Sequence, residues 1–243
     1  MARIGILGGT FNPPHIGHVA LARYARAELG LEQVLLIPAH VAPNKPIAAE
    51  DPGPEHRLQM CALAVAGEPG VEVSPLEIER GGVSYTVDTL QVVHERHHDS
   101  ELTLIVGADT ALTLPGWREP KRLLGLARLA VAEREELGTE DVREALAGLN
   151  PVLRIAPLRM DRIAVSSSAV RKRIAAGAPV VELVGESVAG YIADHGLYRA
   201  ANAPAPASMS ASMSTPPPSP SPMSRPSPMS TPNPTSEIGE ASS

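Results

Sequence analysis

Five short, uninterrupted apolar runs alternate along residues 1–199 with amphipathic stretches, and this alternation is what most narrows the folds open to the chain. The runs are Arg3–Leu7, Gln33–Pro38, Leu102–Val106, Leu129–Ala132 and Val152–Ala156, each bounded by turn residues. Continuous rather than alternating apolarity predicts strands covered on both faces. Between them lie Ile16–Leu29, Glu55–Ala66, Thr86–His97, Thr139–Leu149, Ser168–Ala176 and Glu186–His195. In the third, Val87, Leu90 and Val93 recur at helical spacing opposite Asp88, Glu95, Arg96 and His97. Strands alternating with helices imply right-handed crossovers and a parallel sheet. The expected fold class is therefore α/β, a doubly wound parallel sheet. Ligands of such sheets bind at the carboxyl ends of the strands, so the loops after Leu7, Pro38, Val106 and Ala156 are expected to carry the chemistry.

The 25 prolines of the 243 residues are unevenly spread. Residues 200–243 are built mainly of Ala, Pro, Ser, Thr and Met, with Ile238 the only branched aliphatic side chain. Such a segment buries too little apolar area to offset its own ordering entropy, and it reads as a disordered tail after a single domain over 1–199. A net charge of −6 argues against a nucleic-acid-coating surface. One cysteine, Cys61, allows neither an intramolecular disulfide nor a cysteine-built zinc site. It lies among Leu58, Ala62 and Val65 and reads as a small buried hydrophobe. No apolar run approaches the roughly 20 residues of a membrane span, and the N-terminus enters a strand directly. The expectation is a cytoplasmic protein without membrane or nucleic-acid partners.

The first strand leads into Gly8-Gly9-Thr10-Phe11-Asn12-Pro13-Pro14-His15-Ile16-Gly17-His18. Two glycines there permit a tight turn and close backbone approach to a ligand. The spacing is neither the dinucleotide fingerprint nor a P-loop. His15 and His18, three apart, are expected on one face of a first helical turn. There, free N–H groups and the helix dipole attract anions and both imidazoles can donate to phosphate oxygens. A metal reading is weaker, since no third ligand lies near in sequence. Ser166-Ser167-Ser168-Ala169-Val170-Arg171 opens another helix. The serines are first of all N-caps, but Arg171 at the positive end of a helix is unfavourable unless an anion joins it. Two helix N-termini of this kind suit a nucleoside triphosphate.

Other residues read less sharply. Asp109 in Gly107-Ala108-Asp109 either meets ribose or a cation, or caps a helix. Lys45 is by default solvated. Trp117 covers the core edge or stacks on a flat ring. His40, His56, His94, His97, His98 and His195 show no partner and read as structural or solvated.

Two segments resemble the nucleotidyltransferase superfamily signatures: the (H/T)-x-G-H box at His15-Ile16-Gly17-His18 and the S-S-T-x-I-R box at residues 166–171, with Ser for Thr and Val for Ile. Further stretches resemble the bacterial nicotinate-mononucleotide adenylyltransferase family. They are Gly8–His18, Ile37-Pro38-Ala39-His40 with Lys45-Pro46, Glu79–Leu90, Ile105–Asp109, Trp117 and Tyr191–Arg199. Asn12 stands where that family often has Asp. The resemblance implies a Rossmann-like nucleotidyltransferase fold and the conversion of ATP and nicotinate mononucleotide to nicotinate adenine dinucleotide and pyrophosphate. It implies catalytic roles for His15, His18 and Arg171. ATP contacts fall on Gly8, Gly9, Thr10, Phe11, His18, Gly107, Asp109, Ser167, Ser168 and Arg171. Contacts to the mononucleotide fall on Lys45, Tyr85, Thr86, Asp109 and Trp117, with Mg²⁺ carried by the ATP phosphates and no metal held by the protein. A sister enzyme acting on nicotinamide mononucleotide or phosphopantetheine, and a non-catalytic nucleotide-binding regulator, are the alternatives.

Overall fold

The computed structural model describes residues 1–43, 48, 50–133, 137–150, 153–161 and 163–199. Lys45 and the proline-rich residues 200–243 lie outside them.

Six strands form one parallel sheet in the order β3-β2-β1-β4-β5-β6. They are β1 (Ala2–Gly9), β2 (Gln33–Pro38), β3 (Val71–Val73), β4 (Ser100–Gly107), β5 (Arg128–Ala132) and β6 (Ile155–Leu158). The helices are α1 (Ile16–Leu29), α2 (Pro54–Val65), α3 (Leu76–Arg80), α4 (Thr86–Arg96), α5 (Ala108–Ala111), α6 (Pro120–Leu126), α7 (Thr139–Leu146), α8 (Ser167–Ala175), α9 (Val181–Val184) and α10 (Glu186–Asp194).

The continuous apolar runs are buried on both faces, as their composition requires. Ile4, Ile6, Leu35, Ile37, Leu102, Leu104, Leu129 and Val131 point into one core, against Leu90 of α4, Leu123 of α6 and Val142 of α7. The alternate residues Leu7, Val34, Leu36, Ile105 and Ala130 point into the other, with Ala22 and Ala25 of α1 and Cys61 of α2. Cys61 is fully buried, as expected, and burial raises its thiol pKa beyond reach of ordinary pH. A third cluster, Met60, Val170, Val180, Val184, Val188, Ile192 and Tyr198, ties α8, α9 and α10 to α2. It fixes where the N-terminus of α8 points.

Several elements differ from the sequence expectation. The edge strand β3 is three residues long and α3, α6 and α9 are four to seven, too short to show a period. The last strand is centred later than the apolar run and contains Pro157, tolerated because β6 is an edge.

Strand order reverses at β1, from which the chain builds outward on both sides. The carboxyl ends of β1 and β4 therefore flank the crevice where such sheets take ligands.

Candidate active site

That crevice is a cavity of about 1000 Å³. Gly8, Gly9, Thr10, Phe11, His15, His18, Gly107, Asp109, Ser167, Ser168 and Arg171, named from the sequence, all line it. Tyr85, Thr86 and Trp117 are not part of that lining. Tyr85 and Thr86 follow Ser84, whose Oγ accepts from the N–H of the lining residue His40 at 2.9 Å, and the Arg118 guanidinium lies 4.7 Å from the centre of the Tyr85 ring, bringing the Trp117–Arg118 turn against the start of α4. Trp117 Nε1 donates to Thr113 Oγ1 at 2.9 Å, and its ring packs on the core edge.

The two glycines do not form a turn. Both belong to β1 and pair with Ile37 and Pro38; the chain reverses after them, through Phe11 at φ 50°. Their smallness serves two different ends. At Gly9 the Phe11 ring folds back so closely that a Cβ would lie 3.1 Å from it, and that ring then meets His18 edge-on, centroids 4.9 Å apart. At Gly8 an added Cβ would meet no atom of the described residues within 4 Å. Protein packing does not require that glycine; it leaves the cavity floor open.

The histidines are placed differently from the expected first-turn pair. His15 is the N-cap of α1, in extended conformation, rather than a first-turn residue. Its ring stacks on that of His18 at 3.6 Å. The ring is buried, its Nδ1 has no hydrogen-bond partner among the described residues, and burial pushes its pKa down to about 4. It is neutral at pH 7, because nothing replaces the water that would solvate an imidazolium. The His15 backbone N–H donates to His18 Nδ1 at 3.2 Å, so a neutral His18 carries its proton on Nε2. The backbone thus sets His18 as a donor.

Burial of His15 also makes the fold sensitive to acid. Between pH 6.5 and about 4 the unfolded chain protonates His15 while the folded chain does not. Stability is therefore complete above pH 6.5 and falls as pH drops through this window. Thermal melts at pH 7 and about pH 4.5 should show a larger loss for the wild type than for His15→Gln; equal losses would refute the buried neutral imidazole.

The serines divide their work. Ser166 Oγ accepts from Ala169 N at 3.2 Å and is the N-cap of α8. Ser167 Oγ donates to the Pro13 carbonyl at 2.8 Å. Arg171 Nη1 donates to the Asn12 carbonyl at 2.8 Å, its Nη2 lies 3.5 Å from Ser168 Oγ, and its Nε is buried with no hydrogen bond among the described residues, Glu50 lying 3.9 Å away. Two bonds thus clamp the β1–α1 loop to α8, and both helix N-termini open on one cavity. Asn12 Oδ1 is also buried and unpartnered among the described residues.

Several residues of the lining were given no site role from the sequence, among them His40, Asp51 and Arg57. Arg57 is only 2% exposed and spends its donors inside, on Thr10 O at 2.8 Å, His40 O at 2.9 Å and Asp51 Oδ1 at 3.2 Å. One signal is available. Arg57 occupies the face of α2 that also carries Met60, Cys61 and Val65, and a charged residue on an apolar stripe calls for a buried partner.

A doubly wound sheet with two helix N-termini and a fixed guanidinium over its switch point defines a nucleotide-handling protein. The cytidylyltransferase-like family profile matches residues 6–173. A relative from Roseiflexus sp. strain RS-1, described as "Probable nicotinate-nucleotide adenylyltransferase", is 46% identical over 200 residues, 82% of this chain and 98% of its own. One of the same description from Bordetella pertussis strain Tohama I is 41% identical over 201 residues, 82% of this chain and 99% of its own. Among solved structures, the Plasmodium falciparum nicotinic acid mononucleotide adenylyltransferase complexed with NaAD shares the fold. Its TM-score is 0.66 at 16% identity, over 82% of this chain and 98% of that one. The chain belongs to the cytidylyltransferase-like family of nucleotidyltransferases. Within it, the chain is a member of the nicotinate-nucleotide adenylyltransferases.

Proposed function

We propose that this chain transfers AMP from ATP to nicotinate mononucleotide, releasing pyrophosphate and forming nicotinate adenine dinucleotide. The observation that carries this reading is the meeting of the α1 and α8 N-termini, His18 and Arg171 around one open cavity. A phosphate oxygen of the mononucleotide, already ionised at neutral pH, forms the new bond to the α-phosphorus of ATP. The bond from that phosphorus to the bridging oxygen breaks, and its electron pair leaves with pyrophosphate. No general base is required. The protein's task is to align two anions and stabilise charge on the transferring and leaving groups. His18 Nε2–H, Arg171 and the free N–H groups of both helices supply donors for that purpose.

Mg²⁺ bound to the triphosphate would neutralise part of its charge. Among the described residues there is no cluster of three or more His, Cys, Asp or Glu able to cage a metal. Mg²⁺ keeps its waters and needs few protein ligands, and Asp109, one of the carboxylates lining the cavity, suits a contact to such a hydrated ion or to a ribose. Among the described residues no helix is long and apolar enough to cross a membrane. Water-soluble substrates support the reading of a cytoplasmic enzyme.

The acceptor's pyridine end fits the group beside the cavity. Tyr85 is the N-cap of α4 and makes no side-chain capping bond, which leaves N–H donors at Thr86 and Val87 for a carboxylate. A carboxamide would turn one acceptor oxygen into a donor facing donors. The lost charge-assisted bond and unpaired donor cost about 2–4 kcal/mol, or roughly 30- to 1,000-fold. Water bridging recovers part of this. A coupled pyrophosphate assay at saturating ATP should show kcat/KM for nicotinate mononucleotide at least about tenfold above that for nicotinamide mononucleotide. Phosphopantetheine should be inert. Equal values for the two mononucleotides would rule out a donor-only pocket.

A further inference from the structure

We propose that Arg57 is a positioning residue that holds the two halves of the site at one separation, an inference that rests on the adenylyl-transfer reading. The half that takes the triphosphate is the β1–α1 loop with α8. The half beside it is the end of β2 together with the segment 82–86 that leads into α4. Arg57 joins them: one guanidinium nitrogen donates to Thr10 O in the first half and another to His40 O in the second, while Nε is charge-balanced by Asp51. A planar fork with fixed angles suits this bridging, where a flexible ammonium would not.

The bridge continues beyond His40. The His40 backbone N–H donates to Ser84 Oγ at 2.9 Å, and its ring Nδ1 donates to the Gly82 carbonyl at 3.0 Å. Ser84 N donates to Val41 O at 2.8 Å. Ser84 immediately precedes Tyr85, the N-cap of α4, and Thr89 Oγ1 in the first turns of that helix donates to the buried Glu77 carboxylate at 2.6 Å. Hydrogen bonds therefore run from the β1–α1 loop through Arg57 and His40 to Ser84, the residue just before the N-cap of α4. Each end group is backbone or buried side chain, so the path has little freedom to stretch.

Triphosphate binding has separate support. The β1–α1 loop is also clamped to α8 by Ser167 on Pro13 O and Arg171 on Asn12 O. Loosening Arg57 should thus leave the ATP grip intact and let the acceptor drift. A misplacement of about 1 Å costs on the order of 10²-fold in rate. A residue that merely stabilised the fold would not separate kcat from ATP affinity in this way.

The test uses the full chain and Arg57→Lys, which keeps the charge beside Asp51 but cannot span both carbonyls. The expected result is a kcat at least about 30-fold lower, with the Kd for a non-hydrolysable ATP analogue, measured by calorimetry, within about threefold of wild type. Ser84→Ala, which cuts the same path at its far end, should show the same split at smaller size. The double variant should lose less than the product of the two. A wild-type kcat in Arg57→Lys overturns the proposal, as does a parallel collapse of kcat, ATP affinity and melting temperature. If Arg57→Lys does not fold, Ser84→Ala decides, and an unchanged kcat there overturns it. A wild-type chain that releases no pyrophosphate with any mononucleotide instead overturns the functional reading, a failure visible before any variant is made.

Discussion

Gly8→Val is expected to lower kcat/KM by about 10²-fold or more while leaving the melting temperature within a few degrees of wild type. The two halves of this outcome have separate causes. Gly8 lies in β1 with ordinary strand pairing to Ile37, and a Cβ there meets no atom of the described residues within 4 Å. Valine is well suited to a strand, and its Cβ is accommodated without displacing those residues. Its methyl groups instead occupy the floor of the cavity between Thr10, Gly107 and the two helix N-termini. A phosphate that must approach the backbone there would be displaced by roughly the thickness of a methyl group. Misplacement on that scale costs about 10²-fold through orientation alone. Gly9→Ala is the useful contrast, since its Cβ would press on Phe11 at 3.1 Å and reach the site only through the His18 contact. Normal turnover in Gly8→Val, measured by pyrophosphate release, would show that the reacting phosphates do not lie over β1.

How far such a site can be read before folding depends on whether its information resides in side-chain type or in backbone position. The long strands are legible because both faces are buried and apolarity runs unbroken, as in Val34 to Ile37 and Leu102 to Val106. Ser166, Ser167 and Arg171 are legible because a cation in a first turn conflicts with the helix dipole. The structure places Arg171 one turn further in than expected, as the fifth residue of α8, anchored on the Asn12 carbonyl and lining the cavity. His15 misleads because residue numbers alone suggest helical spacing, whereas an N-cap residue is extended and its ring turns inward. Arg57 and His40 escape for a different reason. Their partners are the carbonyls of Thr10 and His40 and the hydroxyl of Ser84, and a carbonyl leaves no trace in residue identity. Only the tertiary approach of β1, β2 and α2 creates those bonds.

Arg171→Ala should reduce kcat/KM by about 10²- to 10⁴-fold, the range for a charge-assisted donor whose bond strengthens as charge develops on phosphorus and leaving group. The geometry supports a large value. Arg171 is held in place before substrate arrives by its bond to Asn12 O, so little reorganisation is needed at the moment of reaction. Its Nε is buried without a hydrogen bond among the described residues, a donor that a phosphate oxygen would satisfy. Glu50, at 3.9 Å, is too far for a hydrogen bond and half exposed, so it offsets the charge only weakly. Arg171→Lys should recover only part of the rate, because an ammonium cannot hold the Asn12 carbonyl and a phosphate oxygen with the same fixed fork. Removing the Asn12 bond should also cost about 1 kcal/mol of stability, seen as a small fall in melting temperature that is no larger in alanine than in a variant keeping activity low by charge alone, such as Arg171→Gln. The deciding measurement is steady-state kinetics with ATP and nicotinate mononucleotide. Turnover within about tenfold of wild type in Arg171→Ala would move the charge stabilisation to another group and separate α8 from the chemistry.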